Sequence, residues 1–97
     1  MAGYISLLKW TPKGIGSIND SPQRMKNARA AAEKLGITMV GIWVTMGEYD
    51  VVGVLDAPDD QTMATFVLES AKLRGTRTQT MRALSEEEVA QVVGKLT

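Results

Sequence analysis

Ninety-seven residues carrying eleven basic and eleven acidic side chains make one small domain with a formal charge of zero, so no electrostatic footprint marks nucleic acid or an anionic membrane as a partner. Cysteine and histidine are both absent, which removes disulfides, thiolate catalysis, Ser-His-Asp nucleophile systems, His-ligated haem and the usual zinc sites. Any catalysis has to come from carboxylate, Lys, Tyr or Arg side chains, from a bound cofactor or from the substrate itself, and no cofactor or metal is expected.

The first apolar run, residues 4–8, stops at Lys9-Trp10. It is too short for a signal segment or a membrane span, and a cytoplasmic location is expected. Residues 4–10 are rich in β-formers and lead into Thr11-Pro12, where Thr caps and Pro suits a first helical position; they predict strand one. Gly14 and Gly16 allow only a short helical turn before a fresh start at Ser21-Pro22, with Ser21 as the expected cap. Met25, Ala28, Ala32 and Leu35 then share one helical side, and Gly36 is placed to end the helix.

Residues 37–46 and 50–57 are two β-rich runs joined through Gly47-Glu48, the Gly-X form of a two-residue type II′ hairpin. Pro58-Asp59-Asp60 ends the second run and caps a helix whose buried side is Met63, Phe66, Val67, Ser70 and Leu73, with Gly75 stopping it. Residues 76–84 are a fourth strand with alternating threonines suited to a half-exposed edge. Ser85 and Glu88 frame a capping box, followed by Val89, Val92, Val93 and Leu96 at helical spacing. This order defines an α+β, ferredoxin-like βαββαβ domain over residues 1–97: a four-stranded antiparallel sheet, both helices on one face, and a C-terminal helix.

The other face of such a sheet is open. A two-residue corner pairs Val44 with Val51, Ile42 with Gly53 and Val40 with Leu55, all toward the helices. It sends Thr45, Trp43, Gly41 and Met39 to the open side together with Asp50, Val52, Val54 and Asp56. By parity Tyr4, Ser6, Leu8 and Trp10 are expected on that open side, with Thr78, Thr80 and Arg82; Lys9 and Arg77 are assigned to the rim or the opposite face. An apolar open face predicts a homodimer in which two such faces meet about a twofold axis. The expected ligand-binding residues are Trp10, Trp43, Thr45, Tyr49, Thr78 and Arg82, with Asp50 as candidate catalytic group. The plainer account of Asp50 is an acceptor that fixes the hairpin, and that of the tryptophans is interface core.

With those residues in hand the chain resembles the GYD domain family through Gly47-Glu48-Tyr49-Asp50. The likeness extends to Tyr4-Ile5, Lys9-Trp10-Thr11 with Gly14, Asp20-Ser21-Pro22 with Arg24, Gly75, Arg77-Thr78 with Thr80, and Arg82-Ala83. The resemblance implies a fold like the dimeric α/β-barrel proteins, a group that includes stress-response proteins, cofactor-independent monooxygenases and haem-degrading enzymes; fold alone does not carry function. Three roles follow as expectations. The first is a module binding a small molecule between paired sheets. The second is a cofactor-independent oxygenase or isomerase acting on an aromatic or enolic substrate with Asp50 as base, and the third is a purely structural or protein-interaction module.

Overall fold

The computed structural model describes residues 1–96. Four strands, β1 (Ala2–Trp10), β2 (Thr38–Val44), β3 (Val51–Ala57) and β4 (Thr76–Ala83), form one antiparallel sheet in the order β2-β3-β1-β4. The helices are α1 (Pro12–Ile15), α2 (Ser21–Lys34), α3 (Asp60–Arg74) and α4 (Glu86–Val93), with a 3₁₀ turn at Ile18–Asp20. The ferredoxin-like order expected from the sequence is the one observed. Among the described residues no helix is long and apolar enough to cross a membrane.

Local chemistry sets the boundaries. Thr11 caps α1 by accepting the Gly14 N–H, with Pro12 in the first turn, and Asp59 caps α3 by accepting the Thr62 N–H at 2.7 Å. Gly36 and Gly75 have φ of 77° and 61°, the left-handed conformation that closes a helix without a Cβ penalty. Ser21 is not the cap of α2. It is the first helical residue, and its hydroxyl donates to the Ile18 carbonyl of the preceding 3₁₀ turn, while Asp20 holds the cap position without a side-chain bond.

The core lies between the sheet and α2 and α3. Tyr4, Ala32, Ile37, Met39, Leu55, Ala57, Met63 and Phe66 form one cluster, and each large side chain fully buried there contributes roughly 1.5–3 kcal/mol. Leu73, expected on the buried side of α3, is instead 65% exposed, where it borders an open groove with Gln23 and Asn27 of α2.

Register decides the faces, and three expectations change. Val44 pairs with Val51, Trp43 with Val52, Ile42 with Gly53 and Gly41 with Val54 as predicted, but a bulge between Met39 and Gly41 then sets Met39 against Leu55. Met39 turns into the core and Val40 turns out, 60% exposed; the extra residue lets the long thioether fill the interior. Second, the corner is wider than a two-residue turn. The ladder ends at Val44–Val51, the Thr45 N–H donates to the Asp50 carbonyl at 2.8 Å, and residues 46–49 bridge the gap. Gly47 lacks the positive φ that a type II′ turn needs.

Third, β1 and β4 have the opposite parity to that expected. Tyr4 lies directly across from Leu55 on one side and Arg82 on the other, and directly opposed residues share a face. Because Leu55 faces the helices, so do Tyr4, Ser6, Leu8 and Trp10, and with them Thr76, Thr78, Thr80 and Arg82. Ser6 and Thr80 exchange a hydroxyl hydrogen bond of 2.7 Å on that side.

The last helix stands off this body. The Cα radius of gyration is 14.6 Å and the longest extent 52 Å, against about 12.5 Å expected for a compact chain of this length. Val89, Val92 and Val93 on α4, and Leu96 just beyond it, are 44–72% exposed. Its start is anchored by the Ser85–Glu88 capping box and by Arg82, whose guanidinium bonds Glu88 at 2.9 Å and lies 5.8 Å from the Tyr4 ring centroid. The Arg82 hydrogen bond, with help from the Ser85 N–H, holds the Glu88 carboxyl below the ordinary glutamate value of 4.5. A lowered carboxyl pKa means that this anchor is complete above the ordinary value and is lost as pH falls through the depressed one. The protection of the amides at Val89 and its neighbours, taken relative to their intrinsic exchange rates, is therefore expected to fall on that acid limb in the native chain and to stay constant there in Glu88→Gln. Equal acid responses in the two chains would show that Glu88 does not hold the helix.

Candidate functional site

The sheet face turned away from α2 and α3 has no covering layer among the described residues. Alternation along the strands puts Ile5 and Leu7 of β1, Val52 and Val54 of β3, and Met81 of β4 on it, in register with Gly41 and Trp43 of β2. The indole of Trp43 is 54% exposed and lies along its own strand over Gly41. A Cβ at Gly41 would come within 2.3 Å of the ring, so glycine is what lets the indole lie flat. Monomeric proteins rarely leave such a patch open.

The two ends of this face differ in chemistry. At one end Lys9 and Arg77 are directly opposed across β1 and β4, a like-charge pair that repels in isolation. Lys9 reaches Glu48 at 3.7 Å and lies 5.2 Å from the Tyr49 ring centroid, and the Tyr49 hydroxyl donates to Gln79 at 2.7 Å. Among the described residues Arg77 forms no ion pair. At the other end stand Gly3, Ala83 and Asp56, whose carboxylate lies over Gly3.

The Gly47-Glu48-Tyr49-Asp50 corner ties the β2–β3 hairpin to the rest of the sheet. Tyr49 lies over the open face, not toward the interior. Asp50 takes over from the ladder where β3 ends: its N–H donates to the Leu8 carbonyl at 2.8 Å, and its carboxylate accepts the Trp10 N–H at 2.9 Å. The Thr45 hydroxyl donates to the Tyr49 carbonyl, closing the corner from within.

Of the residues expected to line one pocket, the structure brings Trp43 and Tyr49 to the open face and leaves Thr45 and Asp50 in the corner itself. Trp10, Thr78 and Arg82 lie on the helix side, so the sheet separates the two tryptophans that were expected to floor a common site. Trp10 instead lines a cavity of about 60 Å³ with Leu8, Met25, Ala28, Ile42 and Val51. That is less than half the roughly 150 Å³ that accommodates benzene. Thr76 borders this cavity, and its hydroxyl has no hydrogen-bond partner among the described residues. Arg82 serves the α4 anchor, and Tyr4, beneath it, donates to Asp60; that bond first, then burial, raises the phenol above its ordinary pKa.

Gln79 and the charged pair were missed as parts of the open face because strand parity was carried over from the hairpin to β1. No local signal gave the parity: it follows from the pairing of Tyr4 with Leu55, 51 residues later, which turns Gly3 and Ile5 outward.

An α+β sandwich with one helical layer, one uncovered apolar sheet face and a polar corner at its end defines a small ferredoxin-like domain. The chain belongs to the GYD domain family, whose model matches residues 4–93. It is 29% identical over 97 residues to a Thermus thermophilus protein named glutamine synthetase and cystathionine beta-lyase binding protein, with 99% of each chain covered. Among solved structures it resembles FFRP-DM1, with a TM-score of 0.62 and 20% identity over 87% of this chain and 100% of that one. It also resembles the leucine response regulatory protein LrpA of Mycobacterium tuberculosis, with a TM-score of 0.60 and 13% identity over 87% of this chain. The match spans about half, 51%, of the LrpA chain. These likenesses establish the fold.

Proposed function

We propose that the protein is a homodimeric interaction module: two uncovered sheet faces seal against each other, and the assembled dimer binds another protein. The observation that carries self-association is the apolar row of Ile5, Leu7, Trp43, Val52 and Val54 with no layer above it. The Thermus thermophilus relative, named for binding two enzymes, supports a protein partner of enzyme type. Sedimentation velocity is expected to report a dimer at micromolar concentration and a folded monomer for Trp43→Glu, since a charge at the centre of a dry interface has no partner. A native chain that stays monomeric at 100 μM ends this reading, as does an unaffected Trp43→Glu dimer.

The groove bordered by Lys9, Tyr49, Arg77 and Gln79 favours, as a second reading, a small molecule held between the paired sheets. Metabolite titration of the native dimer by thermal shift separates the two, because the second reading requires a ligand that raises the melting temperature. Catalysis through Asp50 required a carboxylate free in an apolar pocket. Here it is the backbone partner of Trp10, which speaks against an oxygenase or isomerase role with Asp50 as base.

A further inference from the structure

We propose that the two sheets meet with their strands running in opposite directions, so that the Lys9–Arg77 end of one copy covers the Gly3–Asp56–Ala83 end of the other. This inference rests on the open face being the dimer surface. A twofold axis that brings two copies of one face together must lie in the plane between them. If it runs along the strands, like ends meet; if it runs across them, opposite ends meet.

The residues choose between these. An axis along the strands would stack Lys9 and Arg77 on their own copies, four long cations against only the two Glu48 carboxylates that already pair with Lys9, and would leave Gly3 and Ala83 facing Gly3 and Ala83 across a gap. Repulsion and a void would coincide, each of them destabilising. An axis across the strands sets Lys9 and Arg77 over small residues that leave room for long side chains. It also places the Asp56 carboxylate among them. The acidic first turn of α4, with Glu86 and Glu87, begins at that same end. Arg77, which forms no ion pair among the described residues, gains carboxylates, and the apolar rows of Leu7–Val52 and Ile5–Val54 come to lie across from one another.

Reversing the polarity of the face tests this. The chain carrying Lys9→Glu and Arg77→Glu is expected to self-associate at least tenfold more weakly than the native protein. Adding Asp56→Lys and Glu86→Lys to it is expected to restore homodimers that do not exchange with native subunits, as read by native mass spectrometry of mixed samples. A polarity-reversed chain that pairs with native subunits in preference to itself would show that like ends meet. A doubly acidic chain that dimerises as tightly as the native one would show that the charges do not orient the pair. Trp43→Glu keeps the two levels apart. Dissociation there without any effect of the charge variants removes only the orientation, whereas a dimer indifferent to Trp43→Glu removes the interface itself.

Discussion

Gly14→Val is expected to destabilise the domain by about 3 kcal/mol, lowering the melting temperature by roughly 12–24 °C. Gly14 is buried where α1 touches the turn between α3 and β4, and a Cβ there would come within 2.6 Å of the Gly75 carbonyl oxygen and 3.4 Å of the Trp10 Cβ. Neither obstacle is the end of a flexible side chain. The Gly75 carbonyl is held twice, by the Thr11 N–H at 3.1 Å and the Thr11 hydroxyl at 2.9 Å, and Gly75 itself has a left-handed φ of 61°. Moving it to make room strains a glycine turn and breaks the cap of α1 together. Gly16→Ala, two residues on, meets nothing closer than 3.5 Å and is expected to change stability by less than about 0.5 kcal/mol. Urea unfolding of the two variants checks the contrast; equal midpoints would mean that the α1 contact is not part of the cooperative fold.

Asp50→Ala is expected to cost about 1–2 kcal/mol, and Asp50→Asn to recover most of it. The carboxylate stands in for a carbonyl: β1 runs on to Trp10 after β3 has turned away, and without Asp50 the Trp10 N–H has no acceptor at the end of the ladder. An amide oxygen accepts that bond as a carboxylate does, though less strongly. Urea unfolding gives the loss, and hydrogen exchange at the Trp10 amide locates it. If Asn proves as damaging as Ala, the charge and not the hydrogen bond is what the position uses, and a role for Asp50 toward a ligand returns. If Ala matches the native chain, the corner does not depend on this contact.

Much of the architecture was legible in the residues taken in order. Capping pairs such as Asp59 with Thr62 and Ser85 with Glu88, glycines at helix ends and β-branched runs act over three or four residues. Local chemistry of that range declares itself without a tertiary context. It also placed four of the pairs in the β2–β3 hairpin correctly, because a hairpin joins strands that are adjacent in the chain.

The faces of β1 and β4 belong to a different scale. Whether Tyr4 points in or out depends on its register against Leu55, 51 residues later, and a slip of one residue exchanges every side chain between the two faces. Nothing near Tyr4 in the chain encodes that choice, since Tyr4, Ser6, Leu8 and Trp10 alternate with Gly3, Ile5, Leu7 and Lys9, and both sets contain apolar and polar members. Closure of the core made the selection: Tyr4 could reach Asp60 at the start of α3, Ser6 could bond Thr80, and Trp10 could pack under α2. Composition and spacing thus determined the elements and their order, while the assignment of Trp10 to the interior and of Lys9, Arg77 and Tyr49 to the open face was settled only when distant strands met, because pairing energy depends on contacts that no local stretch of chain contains.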